Sequence, residues 1–239
     1  LLVGFKGKES VNQLLIKQMN DVRHVALSLT GEPIAYPYIN ELLEEFHKQK
    51  ISTFLVTNAQ YPEQIEKIKN VTQLYISVDA PDKVSLKAID RPLFADYYER
   101  LLKSLDIMAK KKFRRVIRLT VINGLNDDNL GGYAELIRRG QPDFIEAKGY
   151  MHVGASRIYL ERSNMPAHSE VKDFSEKLLK HLPEYELISD HEPSAAVCMI
   201  KKALNKKQYI NFPKFFELVN NNKEAKMEEY SSERMTENV

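Results

Sequence analysis

Short apolar runs that end in small or polar residues recur along the first part of the chain, and each is joined to the next by a segment with helical spacing. Five such runs fit strands, at residues 24–31, 51–56, 73–78, 116–122 and 144–148. The segments between them have apolar residues three and four apart, at 38–49, 63–69, 82–89, 95–111 and 128–138. Strands that alternate with helices run parallel and are joined by crossovers. We therefore predict an α/β fold, either an open doubly wound sheet or a closed or partial barrel.

The chain changes character after the fifth strand. The further predicted elements are a helix at 170–181, antiparallel strands at 185–189 and 195–201, and a helix at 212–220. From Asn221 the sequence is polar and charged without periodicity, which predicts disorder. We accordingly divide the chain into a barrel over 1–190, a strand-and-helix extension over 191–220, and a disordered tail over 221–239.

Composition excludes several kinds of protein. The chain has 239 residues, 43% of them hydrophobic, and its net charge of +2 neither demands nor forbids nucleic-acid contact. Cys198 is the single cysteine, so neither an internal disulfide nor a cysteine-only metal site can form, and we predict no metal ligands in this chain. No apolar run reaches the roughly 18 residues of a membrane span. We expect a cytoplasmic protein without membrane contact. The start at Leu1, without methionine or signal peptide, indicates a fragment.

Polar side chains lie at or just past the carboxyl ends of the predicted strands. They are Gly31-Glu32-Pro33 after the first, Thr57 and Asn58 after the second, Ser77 and Asp79 at the third, Arg118 within the fourth, and Lys148 ending the fifth. In both architectures that edge binds ligands. The alternative is ordinary turn capping, which Asn and Asp commonly perform.

Lys148 stands out because an unpaired ammonium is costly to bury on an otherwise apolar strand. A lysine there can act as a Schiff-base nucleophile toward a carbonyl group. The alternative is an ion pair with Glu146, which lies two residues away and therefore on the same face of the strand.

The segment that follows, 149–157, combines glycines, aromatic residues and a basic residue. Its side chains suited to stacking and phosphate contact are Tyr150, His152, Ser156 and Arg157. A plain surface loop is the alternative. The basic pairs Arg114-Arg115 and Arg138-Arg139 are further candidates for contact with RNA, although such pairs also occur as solvated surface.

Several long segments carry a family resemblance. They are HVALSLTGEPIAYPYINELLEEFHKQKISTFLVTNAQYPE, VTQLYISVDAPDKVSLKAIDRPL, RVIRLTVINGLN and PDFIEAKGYMHVGASR, within residues 22–160. Together, in this order, they resemble the wybutosine-synthesis radical S-adenosylmethionine enzymes, the tRNA 4-demethylwyosine synthases.

The resemblance implies a partial (β/α) barrel of the radical SAM type with a short antiparallel C-terminal extension. It implies a [4Fe–4S] cluster that binds and cleaves S-adenosylmethionine to a 5′-deoxyadenosyl radical. The substrates would be N1-methylguanosine in tRNA-Phe and pyruvate, which a carbon–carbon lyase reaction joins into the tricyclic wyosine base. A flavin- or flavodoxin-type electron donor would be a further partner.

The resemblance also implies residue roles. By position, they are Gly31, Glu32 and Pro33 at the methionyl amino group, Thr57 and Asn58 at the next strand end, Ser77 and Asp79 near the ribose, Arg118 near the methionyl carboxylate, and Lys148 at pyruvate or the cofactor. In this family a lysine preceding the present segment is another Schiff-base candidate.

One departure limits what the segment can do. The family's CxxxCxxC motif has no counterpart here, and one thiol cannot hold a four-iron cluster. We therefore expect this fragment alone to be inactive. Two alternatives remain: a Schiff-base (β/α)-barrel aldolase that uses Lys148, and a non-catalytic RNA-binding fragment.

Overall fold

The computed structural model describes residues 12–18, 21–28 and 31–234. The strands of the main sheet are β1 (His24–Leu27), β2 (Ser52–Thr57), β3 (Gln73–Ser77), β4 (Arg114–Val121), β5 (Phe144–Gly149), β6 (Tyr185–His191) and β7 (Ala196–Lys201). The helices are α1 (Gln13–Gln18), α2 (Ile39–Lys48), α3 (Pro62–Lys67), α4 (Lys83–Asp90), α5 (Tyr97–Met108), α6 (Leu130–Gly140), α7 (His168–Leu179), α8 (Phe212–Asn220) and α9 (Met227–Tyr230). Residues 29 and 30, at the end of the first predicted strand, lie outside the described residues.

The main sheet confirms the predicted strand–helix alternation. Its strand order is β1-β2-β3-β4-β5-β7-β6, and the first five strands are parallel neighbours. β7 pairs antiparallel with both β5 and β6, as expected for the C-terminal strands. Within the described residues β1 and β6 lie at opposite edges, so this sheet does not close into a full barrel. The boundary predicted at residue 190 falls inside β6.

The two faces of the parallel strands have different chemistry because strand side chains alternate. One face is apolar and lies beneath the helices, where Leu55, Ile76 and Ile117 are fully buried. The opposite face is only half-buried and carries polar groups such as Ser77 and Arg118. Their neighbouring positions in the β3–β4 register place these two side chains on the same face.

The prediction of disorder from Asn221 is wrong for the residues up to 234. This segment forms α9 and the strand β9 (Ser231–Ser232), which pairs with β8 (Tyr209–Ile210). Tyr230 is fully buried, and its hydroxyl accepts a hydrogen bond from Arg114 N at 2.8 Å and donates one to Thr72 O at 3.0 Å. The contacts of buried side chains such as Tyr230 therefore stabilise this segment despite its polar composition. Residues 235–239 lie outside the described part.

The basic pair on β4 is structural rather than exposed to RNA. Arg114 is 3% exposed and donates to Ser231 Oγ at 2.6 Å. Arg115 forms an ion pair of 2.7 Å with Asp143, whose side chain is 4% exposed. Arginines whose donors are used inside the protein are not available to phosphates.

The second basic pair is occupied by acidic partners on the surface. Arg139 binds both carboxylate oxygens of Asp106 at 2.7 Å, and Arg138 lies 3.7 Å from Glu184. We therefore do not assign this pair to RNA. Every helix in the described part is too short or too polar to cross a bilayer.

Candidate active site

A cavity of about 420 Å³ opens where the carboxyl ends of the parallel strands meet. Its size falls within the roughly 300–1,000 Å³ of small-molecule sites. The residues that line it are Ser28, Gly31, Glu32, Pro33, Val56, Thr57, Asn58, Ser77, Arg118, Thr120, Lys148, Gly149, Tyr150 and Met151. Of the thirteen residues predicted to bind the cofactor or substrate or to act in catalysis, nine line this cavity, and the other four are Asp79, His152, Ser156 and Arg157.

Glu32 presents a carboxylate with one free oxygen in this cavity. Its Oε2 accepts a hydrogen bond of 2.8 Å from Asn58 N, and the Thr57 hydroxyl also donates to the carboxylate. The other oxygen, Oε1, is buried and has no hydrogen-bond partner in the described part. Burial raises the pKa of Glu32, because the charged form loses hydration. A buried carboxylate oxygen without a partner is suited to a cationic ligand.

The turn that carries Glu32 depends on a glycine. Gly31 has φ = 78°, a left-handed conformation that strains residues with a Cβ, although a Cβ there would meet no atom within 4 Å. Pro33 then begins a short 3-10 turn with its fixed φ. The Gly-Glu-Pro order therefore serves to aim the carboxylate.

Thr57 and Asn58 perform both of the roles considered from sequence. Each caps its own turn: Thr57 Oγ1 accepts from Ala59 N at 3.1 Å, and Asn58 Oδ1 accepts from Gln60 N at 3.1 Å. Both residues also line the cavity and bind the Glu32 carboxylate. Turn capping and ligand contact are compatible here.

Arg118 is held in position from two sides. Its Nε lies 2.9 Å from Glu146 Oε1, and its guanidinium lies 4.6 Å from the centre of the Tyr75 ring. The Glu146 carboxylate and the ring face both favour the cation, so the side chain is pre-organised at the cavity wall.

Lys148 remains an unpaired cation among the described residues. It occupies the same face of β5 as Glu146, but that carboxylate pairs with Arg118 and the expected Glu146–Lys148 ion pair is absent there. Lys148 is half-buried, lines the cavity and lies beside Thr120 in the β4–β5 register. Its amino group is thus available to a ligand.

Asp79 is placed differently from the other strand-end residues. It does not line the cavity in the described structure; its carboxylate accepts hydrogen bonds from Thr120, and its backbone oxygen accepts one from Asn126 Nδ2 at 2.8 Å. Its buried Oδ1 has no partner, and burial raises the pKa of the carboxyl group. Because β3 ends at Ser77, Asp79 lies in the connection beyond the strand rather than at its cavity-lining end.

The loop after β5 contributes only its first residues to the cavity. Tyr150 lines it, and the Tyr150 hydroxyl bonds His152 Nδ1 at 3.1 Å and Ser156 Oγ at 3.0 Å. These two residues therefore shape the loop, whereas Arg157 is exposed to solvent. Thr120 was missed from sequence, although its spacing of two from Arg118 was a usable signal.

The described residues do not fit an iron–sulfur cluster. They contain no group of three or more His, Cys, Asp or Glu side chains placed to hold a metal. Cys198 lies opposite Glu146 on β7, and burial raises the pKa of its thiol to about 12, so it stays protonated. A single thiol also cannot supply the roughly four ligand positions of a four-iron cluster.

The residues that line the cavity, by contrast, fit S-adenosylmethionine. Glu32 offers a partnerless carboxylate oxygen for the ammonium group, Arg118 and Lys148 offer cations for the carboxylate, and Ser77 and Asn58 offer hydrogen bonds to a ribose. The cavity thus supplies complementary groups for the ammonium group, the carboxylate and the ribose of that molecule.

Comparison with known proteins agrees with this chemistry. The Radical SAM superfamily matches residues 8–137, and the family described as Wyosine base formation matches residues 139–202. The tRNA 4-demethylwyosine synthase of Oryza sativa subsp. japonica is 47% identical over 232 residues, which are 94% of this chain and 36% of that protein. The synthase of Pyrococcus abyssi is 41% identical over 205 residues, covering 84% of this chain and 60% of the relative.

A solved structure of TYW1 with a lysine–pyruvate adduct bound superposes with a TM-score of 0.77 at 38% identity. The match covers 84% of this chain and 65% of that one. The chain thus spans between about a third and two thirds of these relatives. With more than half of its residues matched and the strand-end cavity in place, the chain belongs to the radical SAM superfamily.

Proposed function

We propose that this chain forms the S-adenosylmethionine and pyruvate site of a tRNA 4-demethylwyosine synthase. The observation that carries the proposal is the buried Oε1 of Glu32, which has no hydrogen-bond partner among the described residues and shares one cavity with Arg118 and Lys148. A zwitterionic amino acid needs opposite charges on two sides of its site. The relatives from rice and from Pyrococcus abyssi bear the name of this activity.

Each residue of the cavity has a defined role in this proposal. Glu32 accepts hydrogen bonds from the ammonium group through Oε1, the Asn58 N–H holds Oε2 in place, and the Thr57 hydroxyl also donates to the carboxylate. Arg118, positioned by Glu146, binds the methionyl carboxylate. When bound, S-adenosylmethionine supplies the carbon radical that begins the reaction.

Ser77 and Pro33 complete the cofactor wall in the proposal, since both line the cavity. Asp79 acts on it indirectly, through its hydrogen bonds to Thr120, which also lines the cavity. Gly31 sets the backbone conformation that presents Glu32.

Lys148 is the proposed contact for pyruvate. Among the described residues it is the lysine that lines the cavity, and Thr120 lies beside it on the neighbouring strand. Its ammonium group binds the pyruvate carboxylate or, once deprotonated, attacks the ketone to form a Schiff base with loss of water. The related structure that holds a lysine–pyruvate adduct supports pyruvate chemistry at this fold.

The remaining assignments follow from the family resemblance and are proposals. In the proposed reaction, a carbon–carbon lyase step, the bond to the carboxyl carbon of pyruvate breaks, that carbon leaves as a one-carbon product, and the other two carbons join N1-methylguanosine of tRNA-Phe. The reaction takes place in the cytoplasm with a flavin- or flavodoxin-type electron donor. Because the described residues do not fit a [4Fe–4S] cluster, we derive no step through one. The isolated 239-residue chain is expected to bind ligands without turning over.

Product formation tests the proposal. The polypeptide encoded by the complete reading frame is incubated anaerobically with S-adenosylmethionine, pyruvate, a reductant and tRNA-Phe that carries N1-methylguanosine. We expect 4-demethylwyosine in nuclease digests, detected by mass spectrometry, and at least a 100-fold loss in Glu32→Gln, about 3 kcal/mol for a lost charged hydrogen bond. If a preparation that cleaves S-adenosylmethionine leaves this tRNA unmodified, the assignment is refuted.

Borohydride trapping separates the proposal from an aldolase. Pyruvate and borohydride should label Lys148 in the wild-type protein, with Lys148→Arg as the charge-preserving variant that cannot form an imine. A label on Lys148 together with aldol cleavage in the absence of S-adenosylmethionine would favour the aldolase. A label on another lysine would limit Lys148 to carboxylate binding and overturn its Schiff-base role.

A further inference from the structure

Most of the large apolar side chains that are exposed lie in the connections that follow the parallel strands of the main sheet. They lie in the connections that follow β1, β3, β4 and β5, at Tyr36, Tyr38, Val84, Leu93, Leu125, Met151, Val153, Ile158, Tyr159 and Met165. Leu93 is 96% exposed and Val84 is 79% exposed. An apolar concentration on one rim marks an interaction site.

Basic side chains stand among these apolar groups on α4. Lys83, Lys87 and Arg91, together with Val84 and Tyr97, line a shallow groove of about 560 Å³. Lys83 pairs with Glu99 at 2.5 Å, whereas Lys87 and Arg91 have no acidic partner in the part of the chain that the structure describes. Lys87 and Arg91 are thus two cations in the groove that no described acidic side chain neutralises.

An arginine–tyrosine stack joins this helix to the loop after β5. The Arg91 guanidinium lies 3.6 Å from the centre of the Tyr159 ring, and Tyr159 is still 62% exposed. Arg157, exposed in the same loop, adds another cation. We call Lys83, Lys87, Arg91, Arg157 and Tyr159 the α4–loop surface.

Short segments of chain connect the α4–loop surface to residues that line the cavity. Its loop begins at Tyr150 and Met151, which line the cavity, and α4 follows β3, whose last residue Ser77 also lines it. Both parts of the surface are therefore joined to the cavity wall by short segments of chain.

Charge and aromatic character select the kind of ligand. Cations that lack acidic partners attract a polyanion, and an exposed ring backed by a guanidinium offers a stacking platform for a base. An acidic protein partner would match the cations but not the stacking platform.

We propose that the α4–loop surface is the docking site for the RNA loop that carries the target base, with phosphates on Lys87, Arg91 and Arg157 and an unstacked base on Tyr159. The target nucleotide then turns out of the loop into the adjacent cavity, as enzymes acting on bases require. This proposal rests on the proposed function, and it locates the substrate that the function needs.

The test measures binding of a fluorescein-labelled anticodon stem–loop of tRNA-Phe to the 239-residue chain by anisotropy, over a series of KCl concentrations. The test variant is Lys87→Ala with Arg91→Gln. Loss of two phosphate contacts should reduce the salt slope by about 1.4 and weaken binding about 25-fold near 0.1 M salt, at about 0.7 per single-strand contact.

The control variant, Lys177→Ala with Lys180→Ala, removes the same charge from exposed positions at the far end of α7 and should bind as wild type does. Tyr159→Leu should weaken binding about fivefold or more with an unchanged salt slope, and Tyr159→Phe should not. Unchanged affinity in the α4 variant and in Tyr159→Leu, or equal losses in the α7 control, would overturn the proposal, as would a wild-type chain that binds no RNA.

Binding of S-adenosylmethionine, measured on the same samples, separates the two proposals. Wild type that binds the cofactor while the α4 variant retains full RNA affinity refutes the docking surface alone. Wild type that fails to bind the cofactor refutes the proposed function. Equal cofactor affinity in all variants shows that the substitutions leave the fold intact.

Discussion

The buried hydroxyl of Tyr230 gives the sharpest stability prediction. It satisfies the backbone N–H of Arg114 at 2.8 Å and the backbone carbonyl of Thr72 at 3.0 Å, at the amino ends of two central strands. Tyr230→Phe keeps the ring but leaves both groups buried without this partner. At about 1–3 kcal/mol for each unsatisfied group, the free energy of unfolding should fall by about 2–5 kcal/mol.

Urea unfolding followed by far-ultraviolet circular dichroism measures this change. Since 1 kcal/mol corresponds to about 2–4 °C in a chain of this size, the melting temperature should fall by about 4–20 °C. Tyr36→Phe is the matched control, because Tyr36 is 48% exposed and its hydroxyl can bond to water. Equal stability of Tyr230→Phe and wild type would refute the anchoring of the tail.

Other groups give independent predictions. Asp143→Asn removes the negative charge that pairs with the Arg115 guanidinium inside the protein. The free energy of unfolding, measured in urea titrations, should fall by about 3–5 kcal/mol. A loss below 1 kcal/mol would contradict the buried pair. Burial lowers the pKa of His47 to about 4 from 6.5, so its neutral form stabilises the fold above pH 6.5. About 3 kcal/mol of that stability should be lost as the pH falls from 6.5 to 4, and His47→Gln should remove this pH dependence of unfolding. Burial raises the pKa of Glu32, so ionisation destabilises the fold as the pH rises above 4.5; Glu32→Gln should unfold at higher urea concentration than wild type at pH 7.5 but not at pH 4.

The periodic part of the fold could be predicted from sequence because local pattern and packing agree there. The helix at 212–220 and the strand starting at Phe144 have the predicted limits. The ordered tail could not be predicted, since Tyr230 and Met227 are anchored by strand ends more than a hundred residues earlier in the chain. Composition alone contains no information about such a contact.

The candidate site was predicted in outline and missed in detail for a similar reason. Parallel strands bring their carboxyl ends together, which was sufficient to group Glu32, Asn58, Arg118 and Lys148. Which charged side chains form an ion pair depends on the register of the sheet, and the sequence does not reveal that register. Glu146 lies beside Arg118 on the neighbouring strand and pairs with it rather than with Lys148.

Basic residues illustrate the same limit. Arg114 and Arg115 resemble a surface patch in the sequence, yet they occupy buried polar networks at the amino end of β4. The unpaired cations Lys87 and Arg91 lie instead on α4, where only the structure shows the exposed ring of Tyr159 beside them. Basic residues in a sequence therefore predict contact with RNA only when it is known which of them pair with acidic side chains.

Calorimetric titration of the chain with S-adenosylmethionine tests the central claim most directly. We expect one site per chain and a loss of affinity of about 10- to 150-fold in Glu32→Gln, as for a charged hydrogen bond of about 1.5–3 kcal/mol. Glu176→Gln, which changes an exposed carboxylate on α7, should bind as wild type does. Equal affinity of Glu32→Gln and wild type, or absence of binding to the wild-type chain, would contradict the assignment of the strand-end cavity to this cofactor.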